Sequence, residues 1–406
     1  MLEARDRIGG RIRTVHVPEL TAPVELGAEF LHADAKESRT MAKRAGLTVV
    51  DISGTRWISR GGRLEPTRFE KRIERVLRRL RDDLKSDRSV SDALSAMRTL
   101  SAEDRRLAAG FVEGFHAADL ERISEESLAG SMDDPNAMRI ARVSGGYDRL
   151  VESFASDVRD RIHLGHVVTR VTWRPHEVIV ASRTPAGANE AIVAKKVIVT
   201  VPLGVLTAPE GSEGRITFEP DVPGIESAAR KLEMGGVVRV ALRFDEPFWT
   251  STRFSKRHDG GQFSDSTFFQ SVERIPFGVW WTPYPLESPM LVGWTGGPLA
   301  WELRGNSDEE IADVAVRSLA RVFGMARSSV SRRLLASFTH NWLDDPFARG
   351  AYSYVGVGGS GAAAVLARPI ERTLYFAGEH ASSGRNGTVD GAIASGFRAA
   401  DQVLRQ

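Results

Sequence analysis

The sequence predicts an α/β protein in which a Rossmann-like, parallel-sheet domain is interleaved with an α+β domain of mixed sheet and helices. Three observations predict it. Near the C-terminus, Leu374-Tyr375-Phe376-Ala377-Gly378-Glu379-His380 is followed by Gly387-Thr388-Val389-Asp390-Gly391. This reads as a buried strand, a glycine-rich turn carrying a carboxylate, and a helix starting near Thr388. The chain opens with Leu2-Glu3-Ala4-Arg5-Asp6-Arg7-Ile8-Gly9-Gly10-Arg11, which reads as the second strand of a dinucleotide-type fold and the glycine turn after it. Between these ends, strand-rich and helix-rich blocks alternate, so neither domain can be cut out at a single point.

Length and composition set the frame. A chain of 406 residues is too long for one core and suggests two domains. It is 42% hydrophobic and 27% charged, as in soluble globular proteins. The net charge of +2 offers no electrostatic case for nucleic acid or membrane binding. Only eight of the 55 basic side chains are Lys. Cysteine is absent, which excludes disulfides, thiolate nucleophiles and cysteine metal sites. The nine histidines show no metal-ligand spacing, so no metal is expected. No apolar run is long enough to span a membrane. Glu3, Arg5, Asp6 and Arg7 interrupt any signal-peptide pattern, and the cytoplasm is the expected location. Nothing in the sequence speaks to the oligomeric state.

The first block covers residues 1–38: a strand remnant, the Gly9-Gly10 turn and the apolar run from Val24 to His32. Residues 39–139 read as mostly helical. Within residues 68–88, Phe69, Ile73, Val76, Leu77, Leu80 and Leu84 fall at helical spacing among many charges; the charges suit a solvated face or a basic binding helix. Ser144-Gly145-Gly146-Tyr147 turns the chain into a block at 140–215, with a helix at 147–158 and strands at 162–171, 178–181 and 196–201. The block at 216–365 holds an amphipathic strand at 237–244, the turn Asp245-Glu246-Pro247-Phe248-Trp249, an apolar strand around 291–294, and a helix from Ser307 to about 323. Ser307 with Glu310 forms a capping-box signature. Residues 366–406 return to the first domain. The expected division is therefore 1–38, 140–215 and 366–406 for the cofactor domain, against 39–139 and 216–365 for the substrate domain.

Several residues carry chemistry. A carboxylate at the end of the second strand, here Glu3, suits ribose hydroxyls. Gly9 and Gly10 let the backbone approach a ligand. A helix beginning at Thr388 and Val389 offers free N–H groups to an electron-rich partner.

Taken together, the two ends resemble the flavin-containing amine oxidase family, which includes monoamine oxidases, polyamine oxidases and flavin histone demethylases. The resemblance runs from Met1 to the last helix. It implies non-covalent FAD, since no cysteine stands where some relatives attach flavin. Glu3 would then hold the adenosine ribose. Arg5 and Arg11 would lie near the ribityl chain and pyrophosphate, where a guanidinium forks onto phosphate oxygens. Gly27, Ala28 and Glu29 resemble the segment passing beside the flavin ring, and Val167 lies where a valine backbone contacts adenine; a plain core valine fits equally. Gly378 and Glu379 would face the ribityl chain, and the Val389 N–H the flavin pyrimidine carbonyl.

On the substrate side, residues 341–354 resemble the segment before the last domain crossing. Trp342 would pack beside the flavin, and Tyr352 falls where one aromatic wall faces the ring; a core tyrosine is the plainer reading. The opposite wall is Thr388, as in the demethylase branch. Arg239 stands where most of the family has a lysine linked to flavin reoxidation, and an Arg fork cannot replace a compact ammonium. Arg385 suits either an acidic substrate group or solvent.

The resemblance also implies a strand, a GxGxxG turn and a helix ahead of Glu3, which nothing in this sequence matches. The expectation is a truncated or mis-started chain, or a short form with reduced FAD affinity. The implied reaction is hydride transfer from a neutral primary or secondary amine, polyamine or monoamine, to flavin N5. Imine hydrolysis and reoxidation by O2 to hydrogen peroxide would follow. A desaturase or protoporphyrinogen oxidase-like enzyme, or a non-catalytic fragment, remain the alternatives.

Overall fold

The computed structural model describes residues 1–405. Its largest sheet has seven strands, in the order Leu334–Thr339, Val237–Phe244, Met290–Gly296, Val279–Trp281, Ser266–Ser271, Thr55–Arg60 and Arg63–Pro66. All neighbours are antiparallel except Ser266–Ser271 with Thr55–Arg60. Residues far apart in sequence thus share one layer.

The expectation of an amphipathic strand at 237–244 is corrected. Strand Val237–Phe244 is buried on both faces. Val238, Val240, Leu242 and Phe244 join one core with helix Asp308–Val322, while Ala241 joins another with Val24, Leu26 and Trp281. A central strand with a layer on each side has no solvent face. Helix Asp308–Val322 itself is set by the expected capping box of Ser307 and Glu310.

The stretch 39–139 is less helical than its sequence suggests. It includes helices Lys36–Arg44, Phe69–Leu77, Val90–Ala96 and Ala102–Phe115, but also strands Val49–Asp51, Thr55–Arg60 and Arg63–Pro66. Gly61 and Gly62, both at positive φ, turn the last two into a hairpin. The helix expected across 68–88 ends at Leu77, and Leu80 packs into the same core from the turn beyond.

In residues 140–215, strands Val167–Arg174, Glu177–Arg183 and Asn189–Ala194 form an antiparallel run, with Thr217–Glu219 parallel to the first. Asn189–Ala194 is missing from the sequence reading because it is almost wholly exposed and shows no buried stripe. Strand Leu374–Phe376 is fully buried and pairs in parallel with Val197–Val199. Leu2 makes one parallel bridge, to His163, rather than a full strand. It packs against the core that holds Leu374 and Phe376.

The last helix, Val389–Arg405, buries Gly391, Ser395 and Ala399. Its start and the glycine turns at Gly9-Gly10 and Gly378 converge on one cavity.

Candidate active site

A cavity of about 1020 Å³ is lined by every residue expected at the cofactor or the substrate, from Glu3 and Arg11 through Gly27, Val167, Arg239, Trp342 and Tyr352 to Glu379 and Val389. One arm is walled by the first residues and the last helix, the other by aromatic side chains of the seven-stranded sheet and helix Ala102–Phe115.

In the first arm, Glu3 Oε1 accepts the Arg5 N–H at 2.9 Å. Burial pushes its carboxyl up, with the Arg5 N–H and the charges of Arg5 and Arg7 pulling the other way. Gly9 and Gly10 sit at φ 98° and 56°, where side chains are strained. Arg7 closes this turn from behind, donating to the carbonyls of Ile8, Gly10 and Ile12 at 3.2, 2.8 and 3.0 Å. Arg11 donates to the Ala351 carbonyl at 2.7 Å and to Glu379 at 2.9 Å. Gly27 passes so close that a Cβ there would lie 2.0 Å from the Arg11 carbonyl oxygen. The Ala28 N–H bonds that same oxygen at 3.1 Å.

Arg5 reads from sequence as a phosphate fork. Here its Nη1 lies 2.9 and 2.8 Å from the two oxygens of Asp345. Its guanidinium lies over Trp342 and Phe347, 5.8 and 5.6 Å from the ring centres. Asp345 also pairs with His340 Nε2 at 2.8 Å, and His340 Nδ1 with Arg13 at 2.6 Å. Burial would raise Asp345, but the His340 bond and the Arg5 charge hold it at about 2. This network pins the opening segment to residues 340–345.

Glu379 is the most heavily bonded carboxylate of the cavity. Besides Arg11 it accepts from Ser353 Oγ at 2.6 Å, the Gly387 N–H at 2.8 Å and the Ser353 N–H at 3.3 Å. Burial would raise it, yet Arg11, His380 and Ser353 hold it at about 2. Next to it, Thr388 caps the last helix: its hydroxyl donates to the Arg385 carbonyl at 2.7 Å and accepts the Gly391 N–H at 2.9 Å. The N–H groups of Val389 and Asp390 have no acceptor among the described residues. Arg385 pairs with Asp390 at 3.1 Å and with Glu37 at 3.7 Å, which accounts for its charge without a ligand.

The second arm begins at Tyr352. Its ring lies against Gly387, where a Cβ would stand 3.2 Å from the ring edge, and its hydroxyl donates to the Phe115 carbonyl at 2.7 Å. Trp342 is buried, its Nε1 donating to the Leu26 carbonyl at 2.7 Å. Arg239 is buried at 3% exposure and is not free to hold a ligand. It donates to the Gly27 carbonyl at 3.0 Å and to Glu29, and it lies 5.3 Å from the Trp281 ring centre. Glu29 is shared with Arg142 at 2.5 Å and with Trp281 Nε1 at 3.0 Å. Burial alone would raise the Glu29 carboxyl; the two guanidiniums more than reverse this and hold it below its ordinary value.

Sequence reasoning passes over His32, Phe115 and His116. Phe115 stands between the two imidazoles, 5.1 Å from each, with near-perpendicular rings. His32 Nδ1 and His116 Nε2 are buried and have no hydrogen-bond partner among the described residues. Burial drives both pKa values down to about 4, and for His116 the neighbouring His32 adds to the effect. No spacing motif marks this pair, because His32 comes from strand Leu31–His32 and His116 from the end of a helix 84 positions later.

A family model described as flavin containing amine oxidoreductase matches residues 1–138 and 88–404. Among curated proteins, polyamine oxidase 2 of Arabidopsis thaliana is 29% identical over 438 residues, spanning 99% of this chain and 82% of that protein. Lysine-specific histone demethylase 1 homolog 3 of the same plant is 30% identical over 305 residues, 71% of this chain and 17% of that protein. Among solved structures, putrescine oxidase bound to putrescine superposes with a TM-score of 0.79 at 20% identity, covering 100% of this chain and 93% of the other. Cyclohexylamine oxidase from Brevibacterium oxydans IH-35A does so at 0.78 and 19%, covering 100% and 92%. The fold is of the same mixed α/β kind.

Proposed function

As the chain belongs to the flavin-containing amine oxidoreductase family, we propose that it is an FAD-dependent oxidase of primary or secondary amines. The observation that carries this is the continuity of one cavity between a donor-rich arm and an aromatic arm. The residues fit FAD on their own chemistry. Glu3 keeps one carboxylate oxygen free of donors among the described residues, open to ribose hydroxyls. The Val389 and Asp390 N–H groups lack acceptors at the start of a 17-residue helix, whose dipole favours an electron-rich group. Gly27 leaves no room for a Cβ along the path, and a Cβ at Gly387 would press on the Tyr352 ring.

Residues 1–38, 140–215 and 366–406 would hold the cofactor, and 39–139 and 216–365 the amine. When bound, FAD supplies the two-electron acceptor for oxidation at the amine α-carbon, with O2 as the terminal acceptor and hydrogen peroxide as the product. Arg11 and Glu379 hold the two glycine turns in register. Tyr352, fixed at its hydroxyl, offers a ring face that orients the amine. Phe30, Phe268, Trp281 and Trp294 keep water from the reacting carbon. Arg239 fixes a positive charge beside them, which favours the neutral form of the amine.

The test is the visible spectrum of the purified protein with FAD, before and after amines are added without oxygen. Flavin bands that co-elute and bleach with an amine support the reading. Bound flavin that no amine bleaches overturns it.

A further inference from the structure

Resting on the amine oxidase reading above, we propose that the aromatic arm selects a monoamine with an apolar, ring-sized body and rejects polyamines, because its buried walls carry no unpaired carboxylate. The inference comes from the charges that line the cavity. Its carboxylates are Glu3, Glu29, Asp134 and Glu379. Glu3 and Glu379 belong to the cofactor arm. Glu29 lies between Arg142 and Arg239 and donates no spare charge: the trio carries a net positive charge. Asp134 is exposed to solvent in the turn after helix Glu125–Leu128, where water screens it. Arg56, 5.3 Å from the Phe268 ring centre, is paired with Glu70 and adds no carboxylate to the wall.

A diamine or polyamine must bring at least one ammonium beyond the reacting nitrogen. To bury that charge without a carboxylate costs several kcal/mol of desolvation, and the Arg142–Glu29–Arg239 trio repels it. The walls offer instead Phe30, Phe115, Trp281 and Trp294, whose area rewards an apolar body. His32 and His116 also line this arm, but their Nδ1 and Nε2 atoms are shut off from the cavity, so they add ring surface beside Phe115. Both imidazoles stay neutral far below physiological pH, so they add no charge to this wall. The cavity therefore discriminates both by what it attracts and by what it repels.

The experiment uses the full chain with FAD and measures amine binding by calorimetry, alongside anaerobic bleaching. The ligands are 2-phenylethylamine and tyramine against putrescine and spermidine at pH 8. The expected result is that the ring-bearing monoamines bind at least ten-fold more tightly. Equal or tighter binding of putrescine or spermidine overturns the proposal. If monoamines bind more tightly but none bleaches the flavin, the specificity stands and the oxidase reading fails. As a second arm, His116→Asp places a carboxylate in the wall and is expected to raise putrescine affinity at least ten-fold, a gain that a loss of folding cannot mimic. A folded H116D protein with unchanged putrescine affinity shows that the charge of this wall does not set the selection and overturns the proposal.

Discussion

Arg11 Nη1 and Glu379 Oε1 stand 2.9 Å apart although the residues lie 368 positions apart in the chain. The pair locks the opening glycine turn to the closing one, and the same carboxylate holds Ser353 and Gly387. Glu379→Gln leaves a half-buried Arg11 without its counter-charge and turns an amide donor toward other donors. The expected cost is about 3 kcal/mol of folding stability, read from urea unfolding at pH 7. The pH dependence has a defined sign. Glu379 titrates at about 2 when folded, below its unfolded value, so its contribution is present above about pH 4.5 and is lost as pH falls toward 2. The variant's acid limb should be flatter than the wild type's.

Gly27→Ala tests the close approach beside Arg11. The new Cβ lies 2.0 Å from a backbone oxygen, which no side-chain rotation relieves. The expected result is a loss of about 2 kcal/mol or more of stability and loss of co-purifying flavin. Gly10→Ala is the control: it meets open space but sits at φ 56°, so the expected loss is only about 1 kcal/mol of strain.

Tyr352→Phe keeps the ring and removes the bond to the Phe115 carbonyl. About 1 kcal/mol of stability should go. Because Phe115 carries the two imidazoles on its flanks, KM for a ring-bearing amine should rise more than kcat falls. An unchanged KM would show that the hydroxyl does not position this wall.

His32 and His116 give the protein an acid sensitivity of their own. Their folded values of about 4 lie below the unfolded value near 6.5, so the unfolded chain binds more protons between those limits. Stability should fall as pH drops from about 6.5 toward 4, by up to about 3 kcal/mol per residue. Glu25, raised to about 7 by burial, contributes with the opposite sign, its stabilisation being lost as pH rises through 7. The check is therefore a difference: His32→Asn should flatten the pH 4–6.5 limb of the urea midpoint relative to wild type.

The parts of the site legible in sequence are those fixed by local chemistry. Gly378-Glu379 before a helix start and Gly9-Gly10 after a strand announce backbone conformations that few residues adopt. The capping box at Ser307 did the same for helix Asp308–Val322. What stayed hidden depends on partners brought from elsewhere. Arg5 reads as a phosphate ligand until Asp345 is found beside it. Arg239 reads as a free cation until Glu29 and Trp281 enclose it. The strand Thr55–Arg60 was masked by neighbouring helical stretches, although the Gly61-Gly62 turn was there to be read. His32 and His116 carry no pattern at all, since their pairing exists only once a strand and a helix end pack against the same phenyl ring.

The stitching of the first 26 residues to the far end of the chain bears on how the protein is made. Arg5, Arg11, Arg13 and the Leu26 carbonyl find their partners at Asp345, Glu379, His340 and Trp342. On a ribosome, residues 5–26 emerge more than 300 positions ahead of their partners and must wait before any of these bonds can close. During that interval Arg5, Arg11 and Arg13 lack these distant partners, and the loop to be closed is among the longest this chain allows. The cavity is thus a late product of synthesis, completed when the last helix arrives. Release of nascent chains short of residue 379 should leave the opening segment cleavable by protease, whereas the finished protein should protect it.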